Sequence, residues 1–255
     1  MTEDQKKFYD ENGYVILEKI FTDNEAETFN SFVRRHANIN FAALINPDRY
    51  ESLLEQDERP KSDITIKEIK ETSNMARSIM TDKRMSDLLC YFHEKKAVGL
   101  SSQFIFKEAY SDYCSQAWKP HQDNFYPKSK NAAYITLNWF LKDADRENGT
   151  IYCYPGSHKL GLLPAENNVS FREKIGDNPG SECKIPEEFL DKKTDIIIPG
   201  NSIVVLNGNC IHGSYPNNSN RSRPWFSSCY ITEGEEFIVG NSSKREVIDL
   251  ATGNS

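Results

Sequence analysis

The stretch Ala133-Tyr134-Ile135-Thr136-Leu137-Asn138-Trp139-Phe140-Leu141 decides the fold. Its odd positions are all apolar, while positions 134, 136 and 138 carry Tyr, Thr and Asn. A period of two marks a strand with one face in a core. Similar short β-rich runs lie on either side, at 101–107, 132–142, 150–154, 194–198, 202–207 and 224–232. Asp195 to Leu206 reads as two strands joined by a turn at Pro199-Gly200. Residues 160–192 show no strand pattern and many charges, and read as a long insertion of the kind that often covers a site.

Upstream the pattern is helical. Residues 3–11 form a helix that Asn12-Gly13 closes, and a strand follows over 14–20. Thr22, with Glu25 three residues later, makes a capping box for a helix running to about His36. Residues 40–74 are ambiguous, and Thr72 to His93 reads as helix. Helices first and many strands later predict an α+β, mainly β fold, with helices packed outside a β-sandwich or barrel. The expected organisation is one domain over 1–255. Residues 1–97 form a mostly helical flank and 98–232 the β core, interrupted by the insertion.

Composition narrows the function classes. The 255 residues are 38% hydrophobic and 11% aromatic, enough for a packed core. The net charge of −7 supplies no global basic field for nucleic acid. No window is long and apolar enough for a membrane span. The start, Met1 to Lys7, is charged and has no apolar signal segment, so a cytoplasmic protein is expected. The six cysteines are widely spread and read as reduced thiols. Oligomeric state is not written in these features.

The chemistry starts at His121-Gln122-Asp123. In extended backbone, residues i and i+2 point to the same side, so this histidine and carboxylate can grip one cation. Among the other histidines, His36 and His93 lie in helical segments and His158 in a turn. His212 follows the apolar run 203–206 and is the natural third ligand. Two histidines and a carboxylate form a facial triad with open metal positions. A dicarboxylate co-substrate would call for an arginine fork, and Arg221 and Arg223 lie 9 and 11 residues past His212.

Taken together, these motifs resemble the phytanoyl-CoA dioxygenase family of iron(II)/2-oxoglutarate oxygenases. The resemblance is carried by Gly13-Tyr14-Val15-Ile16, Gln103, His121-Gln122-Asp123 and Trp139. Glu147-Asn148-Gly149-Thr150-Ile151, Pro155-Gly156-Ser157-His158-Lys159, His212-Gly213-Ser214 and Arg223 complete the set, which spans roughly residues 8–232. It implies a double-stranded β-helix (jelly-roll, cupin-like) core with flanking helices, and Fe(II) held by His121, Asp123 and His212. It further implies 2-oxoglutarate held by Arg223, with Ser214 in support and Arg221 as the alternative. Gln103, Trp139 and Thr150 would line the same pocket.

The implied reaction consumes O2 and 2-oxoglutarate, releases succinate and CO2, and hydroxylates a small molecule. Asp123 favours hydroxylation, because halogenating relatives lack this carboxylate. Lys107, Lys119, Asn124 and Tyr126 flank the motifs and are candidates for substrate contact. Two alternatives remain: a cupin-like metal-binding protein without oxygenase activity, and a hydroxylase of protein side chains. Substrate identity and the role of the insertion stay open.

Overall fold

The computed structural model describes residues 1–34, 43–44, 66–131, 133–168, 181–240 and 245–251. Helix α1 (Glu3–Asn12) opens on a reciprocal cap between Thr2 and Gln5. It ends at Gly13, whose φ of +82° suits glycine. A Cβ there would also lie 2.5 Å from Nδ1 of His158, so glycine is required twice over. Strand β1 (Tyr14–Glu18) follows, and then α2 (Asp23–Arg34), which begins at the expected Thr22–Glu25 box. The expected extension of α2 to His36 lies outside the described residues, as does most of the ambiguous 40–74 stretch, apart from β2 (Ala43–Leu44) and the start of the next helix.

The single helix expected over 72–93 is corrected to two, α3 (Ile66–Met80) and α4 (Lys83–His93). The break falls at Asp82, whose carboxylate accepts from the Arg84 N–H at 2.8 Å and starts a new helix. The apolar period continues through the break, which is why the sequence reads as one helix.

The remaining strands are β3 (Ala97–Lys107), β4 (Trp118–His121), β5 (Tyr134–Phe140), β6 (Ile151–Cys153), β7 (Ala165–Asn168), β8 (Ser181–Cys183), β9 (Thr194–Asp195), β10 (Ser202–Asn207), β11 (His212–Ser214) and β12 (Arg223–Thr232). One antiparallel sheet has the order β1-β10-β5-β12-β3-β2, and a second has the order β4-β11-β6-β9. Strands β3, β5, β10 and β12 therefore belong to one sheet, and β4, β6, β9 and β11 to the other. The chain winds back and forth between the sheets, as in a double-stranded β-helix.

The alternation along β5 now has a direction. Ile135, Leu137 and Trp139 pack with Phe21, Phe29, Met85 and Leu88 in the core beneath the helices. Phe140 turns inward between the sheets with Ile105, Val204, Cys153 and Trp225. Thr136 and Asn138 share that inner face. The six-stranded sheet thus buries one face under helices and turns the other toward the site.

Two expectations about loops change. The Pro199-Gly200 turn does not close a hairpin: β9 pairs with β6, while β10 pairs with β1 and β5 in the other sheet. The turn is where the chain changes sheets. The insertion is not strandless, since β7 and β8 form an antiparallel hairpin. Its β8 lies against β4, with Lys119 and Glu182 paired at 3.1 Å. Its strands are short and mostly polar, Ala-Glu-Asn-Asn and Ser-Glu-Cys, so no alternation shows in the sequence. Past β12 the chain returns to β3, where Ile248 exchanges both backbone hydrogen bonds with Gly99.

Candidate active site

His121 ends β4 and His212 begins β11, and the two are direct partners across the antiparallel pair. Their rings lie 4.4 Å apart, centroid to centroid. Asp123 stands at the start of the short 3-10 turn that follows β4. Its Oδ1 lies 3.6 Å from Nε2 of each histidine. One donor atom from each of the three residues lies within 4.8 Å of the others, a spacing that suits one cation.

The tautomers follow from the hydrogen bonds. Nδ1 of His121 meets the Lys119 carbonyl at 2.8 Å, and Nδ1 of His212 meets the Cys210 carbonyl at 3.0 Å. A carbonyl only accepts, so both Nδ1 atoms carry a proton, and both Nε2 atoms are turned toward Asp123. Burial depresses the His212 imidazole to about 4, so it is neutral and able to ligate at pH 7. Burial alone would raise the Asp123 carboxyl, but the neighbouring histidines outweigh it and hold the group below its usual value. Thr136 donates to Asp123 Oδ2 at 3.4 Å. Two imidazoles and one carboxylate fit iron(II) and leave coordination positions open.

Gly213 separates His212 from Ser214 for a steric reason. A Cβ there would lie 2.5 Å from the Trp118 carbonyl oxygen and 2.4 Å from the Tyr152 hydroxyl. Ser214 is buried and accepts a hydrogen bond from Lys107 Nζ at 2.8 Å. Lys107 also donates to the Tyr215 carbonyl. Arg223 is the register partner of Lys107 across β3 and β12, and both side chains are 0% exposed. The guanidinium lies over the Trp225 ring at 4.4 Å. Burial, and then the Arg223 charge, push the Lys107 ammonium well below its ordinary value. A buried guanidinium and a buried amine beside a serine hydroxyl form a donor set that matches a carboxylate.

The two candidate arginines are therefore separated. Arg221 is on the surface, its guanidinium on the Asp145 carboxylate at 2.7 and 2.9 Å. Gln103 lies on β3 in phase with Ile105 and Lys107, on the inner face. Thr150 is buried, with its hydroxyl donating to the Ile196 carbonyl at 2.6 Å.

Trp139 requires a correction. It lies on the helix side of β5, stacked on Phe21 at 4.3 Å and Phe29 at 5.1 Å, with its indole N–H on Asn201. The sheet separates it from Thr136 and the triad, so it is a core residue. Asn124 requires another. It is 1% exposed, donates to the Ser129 carbonyl and Asn209, and accepts from the Ser129 amide and hydroxyl. It braces the turn after Asp123, and its amide points to protein rather than to substrate. Lys107, expected to meet substrate, lies deep instead, beside Arg223. Tyr126 is half-buried at the end of the turn that carries Asp123, and Lys119 pairs with Glu182.

Sequence reasoning missed Gln122. Its amide donates to the Gly161 and Asn209 carbonyls at 2.8 and 2.6 Å, and its carbonyl accepts from the Leu163 N–H at 2.7 Å. It ties the start of the insertion to the loop that precedes His212. The only signal was its place between His121 and Asp123.

Comparisons with known proteins agree with this architecture. Residues 9–225 match the family model described as phytanoyl-CoA dioxygenase (PhyH). Phytanoyl-CoA dioxygenase 1 of Oryza sativa subsp. japonica is 24% identical over 97% of this chain and 95% of its own length. A probable alpha-ketoglutarate-dependent hypophosphite dioxygenase of Stutzerimonas stutzeri is 26% identical over 86% of this chain and 74% of its own. Among solved structures, the epimerase SnoN in complex with Fe3+, alpha ketoglutarate and nogalamycin RO superposes with a TM-score of 0.66 at 18% identity, covering 92% of this chain and 85% of that one. EvdO2 from Micromonospora carbonacea var. aurantiaca, complexed with 2-oxoglutarate, gives 0.65 at 13% identity over 94% of each chain. These likenesses establish the jelly-roll fold, and the match of the family model over most of the sequence establishes that the chain belongs to the phytanoyl-CoA dioxygenase family.

Proposed function

We propose that this protein is an iron(II)/2-oxoglutarate-dependent dioxygenase that hydroxylates a small molecule. The observation that carries the reading is the pairing of two sites within one β-helix: the His121–Asp123–His212 triad and the buried Lys107–Arg223 pair beside Ser214. His121, Asp123 and His212 would hold iron. Arg223, Lys107 and Ser214 would hold the distal carboxylate of 2-oxoglutarate, with Gln103 on the same inner wall. When bound, iron and 2-oxoglutarate supply the oxidative decarboxylation that drives C–H hydroxylation by O2.

The chain's own residues set the geometry. The Lys119 and Cys210 carbonyls fix the imidazole tautomers, and Thr136 orients the Asp123 carboxylate. Ile105, Phe140 and Trp225 pack between the sheets and would keep water from the bound carboxylate. The presence of the Asp123 carboxylate, which halogenating relatives lack, favours hydroxylation.

Six free thiols accord with a reducing compartment such as the cytosol. No helix among the described residues is long and apolar enough to cross a membrane. We read the chain as one oxygenase domain, because the family match runs from its first helix into its last strand.

The test is succinate formation from 2-oxoglutarate by the Fe(II)-loaded protein, with and without candidate small molecules. Turnover that disappears in His121→Ala is expected. Iron binding with neither 2-oxoglutarate binding nor turnover would favour a non-catalytic metal-binding cupin instead.

A further inference from the structure

Beyond β12 the chain arches over the end of the β-helix next to Asp123. Ile238 N–H bonds to the Pro127 carbonyl at 2.7 Å, just past the metal-site turn. The chain then returns to β3, where Glu246 N–H meets the Leu100 carbonyl and Ile248 pairs with Gly99. Arg245 sits in this return. Its Nη1 donates to the Ile238 and Val239 carbonyls at 3.2 and 3.3 Å. Its Nε is buried without a hydrogen-bond partner, and Nη2 donates to none of the described residues. No carboxylate among the described residues lies at ion-pair distance from it. One edge of the guanidinium, Nε and Nη2, therefore meets no acceptor among the described residues, and that edge is the one that grips a carboxylate through two parallel hydrogen bonds.

The surroundings show where this arginine stands. Leu100 and Ser101 on β3, Cys229 and Ile231 on β12, and Tyr134 on β5 form one wall, with Cys229 paired to Ser101 and Ile231 to Tyr134. Burial raises the Tyr134 hydroxyl and the Cys229 thiol, the charge of Asp123 adds to the rise, and the charge of Arg245 opposes it on both. Asp123 and Arg245 thus act on the same two buried groups with opposite sign. The Lys107–Arg223 pair lies at the other end of the β3–β12 ladder, so Arg245 is distinct from the 2-oxoglutarate cations.

We infer that Arg245 receives a carboxylate of the substrate, so that the compound hydroxylated is a small carboxylic acid held by its acid group at the Tyr134–Cys229 wall. This rests on the oxygenase reading, and it names the substrate class of that site. One guanidinium edge matches one planar carboxylate in charge and shape. A purely structural role would need only Nη1, which pins the 238–239 backbone.

The test uses the full-length, Fe(II)-loaded protein with 2-oxoglutarate and a panel of small alkyl and aryl carboxylic acids. Each acid is matched by its primary amide and by a phosphate monoester of the same skeleton. Ligand-induced thermal shift and succinate formation are measured. Acids are expected to act at concentrations at least ~10-fold lower than their amides, and Arg245→Gln to abolish that preference. A structural role would weaken acid and amide alike and leave their ratio unchanged, which would overturn the inference. So would amides or phosphate monoesters matching the acids on the unaltered protein, or no acid in the panel acting at all. The oxygenase reading fails separately, if the unaltered Fe(II) protein does not bind 2-oxoglutarate.

Discussion

Lys107 and Arg223 are direct register partners on β3 and β12, and both are wholly buried. Two cations placed together in an interior are costly unless an anion completes the group. Lys107→Met should therefore weaken 2-oxoglutarate binding to the Fe(II) protein by roughly 10–100-fold, the loss of one charge-assisted hydrogen bond. Thermal stability without 2-oxoglutarate should hold or rise, because a desolvated cation is removed. Calorimetric titration and thermal melting measure the two effects, and unchanged 2-oxoglutarate affinity would remove Lys107 from the pocket.

Trp139→Phe tests the other side of the sheet. Loss of the Asn201 hydrogen bond and part of the Phe21 and Phe29 stacking should cost about 1–3 kcal/mol of stability. The dissociation constant for 2-oxoglutarate should not change. A selective loss of 2-oxoglutarate affinity, with stability intact, would return Trp139 to the pocket.

Asn124→Ala removes the buried amide that holds the turn after Asp123 together. Leaving the Ser129 and Asn209 groups unsatisfied should cost about 2–4 kcal/mol in denaturant unfolding. Iron affinity should fall with it, since the turn carries a ligand. A rise in substrate KM alone, at unchanged stability, would instead make Asn124 a substrate contact.

Much of this was legible in the chain. The alternation over 133–141 marked the strand, and the motif order picked out His121, Asp123 and His212, which the fold brings together, and Arg223, which it buries. That same alternation carried the signal against Trp139, which falls in phase with Leu137 and Ile135 and so shares their helix-packed face. Lys107 is in phase with Gln103 and Ile105, but a lysine reads as surface until its strand is known to be buried on both faces. Arg221 and Arg223 differ by two residues, and only the end of a loop against the start of β12 separates an exposed ion pair from a buried cation. The insertion hairpin and the Arg245 return are long-range pairings, which local pattern does not encode. The helix break at Asp82 is a capping event inside an unbroken apolar period.

The α2 cap should show in acid. Glu25 accepts from Thr22 and from Arg84, and the Arg84 guanidinium holds its carboxyl down at about 2. A folded-state value below the unfolded one stabilises the protein above pH ~4.5, and that stabilisation disappears as pH falls through about 2. The pair is more than a third exposed, so solvent screening limits the effect. Glu25→Gln should cost about 1 kcal/mol at pH 7, and the difference from the parent should close on acidification. A gap independent of pH down to 2 would contradict this assignment.

The central claim is that one β-helix holds iron and 2-oxoglutarate through separate sets of residues. Anaerobic titration of 2-oxoglutarate into the Fe(II)-loaded protein, followed by the visible charge-transfer absorption of the chelate, tests it directly. The expected result is saturable binding that needs iron, is absent in His212→Ala and is weakened at least ~10-fold in Arg223→Met. No chelate band in the iron-loaded parent, or equal affinity in Arg223→Met, would contradict the account.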